Sequence, residues 1–146
     1  MIRSVIRRLV LGVALGTSVV TGVVVPASAA ARYFSDVEAR LDGVRCVLDD
    51  QEVVCIVGGA TPVVPGPRPT CPTDYGPYPI LRLGNSGPAE ASYTCRIIIA
   101  FGEPLPFHKI ISTDAITCSG LPTEPGIQCV NSEHGFTVSR TEYTLR

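Results

Sequence analysis

Cys46-Val47-Leu48-Asp49-Asp50-Gln51-Glu52-Val53-Val54-Cys55 consists of two apolar arms, each ending in a cysteine, around a polar centre. Folded about Asp50-Gln51, the stretch sets Cys46 directly opposite Cys55. Opposed residues of an antiparallel pair have Cβ atoms ~4.5–5.5 Å apart, close to the span of a disulfide. The arms also alternate: Val44, Cys46 and Leu48 fall on one face, as do Val53, Cys55 and Val57. Val54 and Ile56 point the other way and are apolar too, which predicts that the second arm is covered on both sides.

The same construction applies to Cys118 and Cys129, folded about Thr123-Glu124 with Pro122 and Pro125 flanking the turn. Cys71 and Cys95 then remain for each other. The sequence therefore predicts the disulfides Cys46–Cys55, Cys71–Cys95 and Cys118–Cys129. An even number of cysteines in a chain of this size reads as a disulfide framework. A metal-ligand reading finds no Cys-x-x-Cys pair and only His108 and His134 to assist, so no metal site is nominated.

Strand signals continue outward from the first hairpin. Ile80–Leu83 reads as a short strand, ended by the turn cluster Gly84-Asn85-Ser86-Gly87-Pro88. Tyr93, Cys95, Ile97, Ile99 and Phe101 alternate over Ala91–Phe101, the strongest strand pattern in the chain. Phe107–Ser112 reads as another strand. Phe136 and Val138 mark a last one, and the Ser139–Glu142 spacing suggests a closing helical turn with a capping box. Residues 61–79 contain seven prolines, which exclude helix and interior strand and predict an extended, polyproline-like connection pinned by Cys71. The expected fold is all-β: a small disulfide-stapled antiparallel sheet or barrel-like sandwich of hairpins, with little helix after the N-terminal segment.

That segment has its own reading. Arg3, Arg7 and Arg8 precede a charge-free run from Leu9 to Val25, and Pro26-Ala27-Ser28-Ala29-Ala30-Ala31 follows. A basic head, an apolar middle and a small-x-small end are the parts of a secretory signal peptide. The expected leader is 1–29, cut after Ala29 or, second, after Ala31, leaving a single domain over 30–146. The apolar run is at the short end of what spans a bilayer, so no stable membrane insertion is expected after cleavage. The leader holds three of the twelve basic residues and none of the thirteen acidic ones, leaving a mature charge of −4. With Lys109 its only lysine and no basic cluster, the mature part lacks a phosphate-neutralising patch, so nucleic acid is not an expected partner.

The mature chain resembles a family of small exported actinobacterial proteins catalogued as a domain of unknown function. The closest match is the closing block: Ile116-Thr117-Cys118, Gly126-Ile127-Gln128-Cys129, His134-Gly135-Phe136, Ser139-Arg140 and Tyr143. That block is similar to the family's Cys…Gly-Val-x-Cys…Gly-His-Gly-Phe-x-x-Ser-Arg-x-x-Tyr. Cys71-Pro72-Thr73-Asp74-Tyr75-Gly76 resembles a Cys-x-x-Asp-Trp-Gly element with tyrosine for tryptophan. Leu105-Pro106-Phe107-His108 resembles a Leu-Pro-Tyr-Gly turn with histidine for glycine. The opening departs further: Tyr33-Phe34-Ser35 matches, but Asp36–Asp42 replace a Ser-Gly-Asn stretch. The resemblance implies the fold and the cysteine pairs and carries no activity.

No residue stands out as catalytic. His134, Ser139 and an acid such as Asp114 are the residue types of a hydrolase triad, but a triad is defined by geometry. Ser139 has no Gly-x-Ser-x-Gly context, and five residues along a strand put His134 and Ser139 on opposite sides. Gly58-Gly59 lacks the following helix of a phosphate loop. The candidate binding surface is the aromatic loop with Asp74, Tyr75 and Tyr78, together with His134 and Arg140. The expectation is a non-enzymatic, cofactor-free protein, secreted or retained in the cell envelope, that binds an extracellular protein or envelope component. Its alternatives are an extracellular protease inhibitor and, after that, a hydrolase using His134 and Ser139.

Overall fold

The computed structural model describes residues 30–36, 43–58, 62–72, 76–96 and 102–146. Among them there is no helix, and eleven strands form two sheets. The first sheet contains β1 (Arg32–Ser35), β2 (Val44–Leu48), β3 (Glu52–Val57), β4 (Tyr78–Gly84), β5 (Glu90–Thr94) and β6 (Glu103–Pro104), in the order β5-β4-β3-β2-β1-β6. The second contains β7 (Ile110–Ser112), β8 (Thr117–Gly120), β9 (Gly126–Val130), β10 (Gly135–Ser139) and β11 (Tyr143–Leu145), in the order β11-β10-β9-β8-β7. All pairings are antiparallel except β1 with β6.

The β2–β3 hairpin has the expected register, with Cys46 opposite Cys55. Asp49 makes its turn: the carboxylate Oδ1 accepts from the Gln51 and Glu52 N–H groups at 2.8 and 2.9 Å. Such a bond is how aspartate favours turns over strands. Val53–Val57 is buried at every position because β3 lies between two strands and has an apolar partner set on each face. Cys118 is likewise opposite Cys129, and Leu121 N–H donates to Gly126 O to close that hairpin. In both pairs the Cα atoms are 4.1–4.2 Å apart, as in directly opposed, non-hydrogen-bonded positions.

The inner faces of the two sheets share one core. Phe34, Leu48, Leu83, Leu105, Ile116, Ile127 and Phe136 are all fully buried in it, with Cys46–Cys55 and Cys118–Cys129 at its centre. Burying side chains of this size contributes about 1.5–3 kcal/mol each. Val54, Ile56 and Ile80 form a smaller cluster on the outer face of the first sheet, packed with Val47 and Tyr78. Two links tie the sheets at their margins. Arg32 donates from its guanidinium to Ser112 O, and Asn131 Nδ2 donates to Gly84 O and Gly87 O at 3.1 and 3.0 Å.

Four local expectations are corrected. The strand expected over Ala91–Phe101 ends at Thr94; Cys95 and Arg96 follow it out of the sheet, and 97–101 lie outside the described residues. Its partner β4 begins at Tyr78, paired with Thr94, so the β4–β5 ladder ends there. Phe107 and His108 form a turn, with Lys109 N–H donating to Pro106 O, and β7 begins only at Ile110. Pro79 belongs to β4, beyond the last β3 pair at Ile56–Ile80, where its missing N–H costs no bond to β3. The helical turn expected after Ser139 is a β-hairpin: Ser139 Oγ accepts from Glu142 N–H at 3.2 Å while Ser139 N–H donates to Glu142 O. β11 then returns along β10.

Candidate functional site

Of the residues nominated as a binding surface, Tyr78, His134 and Arg140 are described, and His134 and Arg140 stand at opposite ends of β10. His134 is half-buried in the β9–β10 turn, its N–H donating to Asn131 Oδ1 at 2.8 Å. Arg140 is half-buried in the β10–β11 turn, at the other end of β10. Tyr78 packs on the outer-face cluster rather than projecting into solvent. Asp74 and Tyr75 lie outside the described residues. The hydrolase pair is also separated: with β10 between them, His134 and Ser139 stand about 16 Å apart along an extended strand. Asp114 is exposed in the β7–β8 turn, at the His134 end of the sheet.

A notch of about 180 Å³ separates the β8–β9 and β10–β11 turns, lined in part by Pro122, Glu124, Ser139 and Glu142. Sites for small organic ligands run to about 300–1,000 Å³ and are largely apolar. The notch is smaller than that, and Ser139 Oγ already accepts from Thr141 and Glu142 N–H. Among the described residues no cluster of His, Cys, Asp or Glu is arranged to hold a metal ion. The surface ion pairs Arg82–Glu52 at 3.0 Å and Lys109–Glu103 at 2.9 Å are both exposed. The hydrogen bond from Lys109, and then its charge, hold the Glu103 carboxyl below the ordinary glutamate range.

The described feature with the form of a contact surface is the proline-rich segment. Residues 62–72 contain neither helix nor strand. Pro65, Gly66, Pro67, Arg68, Pro69 and Thr70 are all exposed, and Val63 is 74 % exposed. Pro65-Gly66 bends the segment: Gly66 has φ +95°, the left-handed region required after proline in a type II turn. The exposed strap is held at both ends. Val64 is buried, and its N–H donates to Tyr93 Oη at 3.3 Å. Cys71 is joined to Cys95 just past β5, with Cα atoms 5.4 Å apart. Between these anchors the Arg68 guanidinium stands 5.2 Å from the centre of the Tyr93 ring, within cation–π range.

All three predicted disulfides are present, and the two core ones are scaffold rather than surface. The sequence pointed to the prolines and Cys71 but missed Val64, Arg68 and Tyr93 as the parts that order the strap. The Pro65-Gly66 turn signal and an arginine between two prolines were the readable hints. No family model, curated protein or solved structure matches the chain.

Proposed function

We propose that the protein is an extracytoplasmic, non-catalytic binding protein that presents the strap at 63–70 to an extracellular protein or envelope component. The observation carrying this reading is that Val63 and residues 65–70 are exposed while the segment is pinned at Val64 and at Cys71. A segment ordered before binding loses less conformational entropy on docking. Proline-rich segments are read by aromatic-lined grooves for the same reason. The three disulfides suit an oxidising compartment, and the basic, apolar and small-residue parts of the leader support export.

A photo-crosslinking side chain placed at Val63 should capture a defined partner in the producing cells. The same group at Ser119, on the outward side of the second sheet, should not. Capture at Ser119 and none at Val63 would refute the assignment of the surface. The pinned strap also favours a second reading, an inhibitor of extracellular proteases, since a rigid exposed segment is a poor substrate. Residues 61–79 should then be cut slowly while the protease is inhibited; rapid cleavage without inhibition removes this reading.

A further inference from the structure

The three disulfides differ in access. Cys46, Cys55, Cys118 and Cys129 are 0–1 % exposed, each pair between opposed strand residues inside the shared core. No external thiol reaches those sulfurs unless the sandwich opens. Cys71 and Cys95 are partly exposed and lie outside any strand. Beside Cys71 stands the exposed Gly76, where a Cβ would be 3.3 Å from both Cys71 Sγ and the Tyr78 ring, so the glycine keeps a further side chain off the sulfur. Thiol–disulfide exchange proceeds by direct attack on sulfur, so its rate depends on that access.

We propose that Cys71–Cys95 is a thiol-exchange site for an external dithiol reductant, and that it acts as the latch of the proline strap. A thiolate of the reductant attacks one sulfur of the pair, forms a mixed disulfide and expels the other as a thiolate. The second thiol of the reductant then resolves the mixed disulfide. The protein gains two electrons and two protons, and the reductant leaves as its own disulfide. The core disulfides stay closed. Opening the latch removes the anchor at Cys71 and leaves the strap only the Val64–Tyr93 hydrogen bond, which then opens more often. The chemistry stands independently, and its consequence for partner binding rests on the docking reading above.

The test uses the folded, oxidised protein treated with increasing dithiothreitol, quenched with an alkylating agent and mapped by peptide mass. Cys71 and Cys95 should be alkylated at least about tenfold faster than the other four cysteines. Labelling of Cys46 or Cys118 at a comparable rate, or of all six together, overturns the proposal. Amide exchange supplies the second measurement. Val64 N–H should exchange at least about tenfold faster once the latch is reduced, while the Ile127 amide is unchanged. An unchanged Val64 would show that the disulfide does not hold the strap, and the latch would fall. Crosslinking through Val63 is performed on the oxidised protein, so the docking reading and the latch can fail separately.

Discussion

Asn131 uses its whole amide group. Oδ1 accepts from the Glu133 and His134 N–H groups, which shapes the β9–β10 turn, and Nδ2 donates to two carbonyls of the β4–β5 turn in the other sheet. In the sequence Asn131 reads as an ordinary turn residue, because its donors' partners are 44 and 47 positions away. Replacing it with alanine leaves two part-buried carbonyls without a donor and should cost about 1–3 kcal/mol in urea unfolding. Asn131→Asp keeps the turn acceptor but removes both donors, so it should lose most of the same stability; a wild-type midpoint for Asn131→Asp would show that the link between sheets contributes little. Glu103 gives a second test at this scale. Its carboxyl pKa is depressed in the folded state by Lys109. A depressed carboxyl adds stability above its unfolded pKa and loses it as pH falls through the folded value. Both groups are exposed, so the stability effect is small and screened by salt. An NMR titration should find Glu103 below the ordinary glutamate range and moving back up in Lys109→Ala.

Strand alternation was legible wherever a hairpin carried its own turn chemistry, as at Asp49 or between Pro122 and Pro125. It failed where a partner decides the strand's length. Tyr93 and Cys95 belong to one alternating run, yet β5 stops at Thr94 because its partner β4 starts only at Tyr78. Ser139 and Glu142 illustrate a different ambiguity. The same Oγ-to-N–H bond caps a helix or closes a tight hairpin, and the apolar residues of β10 and β11 select the hairpin by pairing. The disulfides allow a comparison of magnitudes between elements. Chain entropy alone ranks Cys71–Cys95 above Cys118–Cys129, because its loop is longer, by roughly 0.7 kcal/mol out of about 3. Replacing the core pair with alanine also leaves cavities, at roughly 1 kcal/mol per deleted buried group. The core term is larger, so the Cys118→Ala, Cys129→Ala variant should be less stable than Cys71→Ala, Cys95→Ala by about 1–2 kcal/mol in guanidinium unfolding. The reverse order would mean that the strap contributes more to the fold than its exposure implies.

The two sheets bury their inner faces in a single cluster, so neither inner face is covered without the other. Unfolding should therefore be one cooperative transition, with the tyrosine signals of both sheets changing together. Phe136→Ala, in the second sheet, should cost about 3–5 kcal/mol and lower the midpoint reported by either sheet. Separate transitions would divide the molecule into independent halves. At this scale the all-β class and the three cysteine pairs were readable from periodicity and spacing. The division into sheets was not, since alternation shows that a strand has a buried face but not which other sheet covers it. The same limit applies to the strap: its prolines are visible in the sequence, whereas the tyrosine that holds it is ordered by a neighbouring strand. One consequence concerns the order in which the chain is made. Each disulfide joins cysteines that are consecutive along the sequence, and the paired strands of the first sheet all precede those of the second. As the chain emerges from its N-terminus, Cys55 meets only Cys46, Cys95 meets only Cys71, and Cys129 meets only Cys118, provided each bond closes in turn. A chain delivered in this direction never presents a wrong thiol to the newest one. Refolding from the fully reduced state offers all six at once, so it should yield scrambled pairs that vectorial delivery avoids.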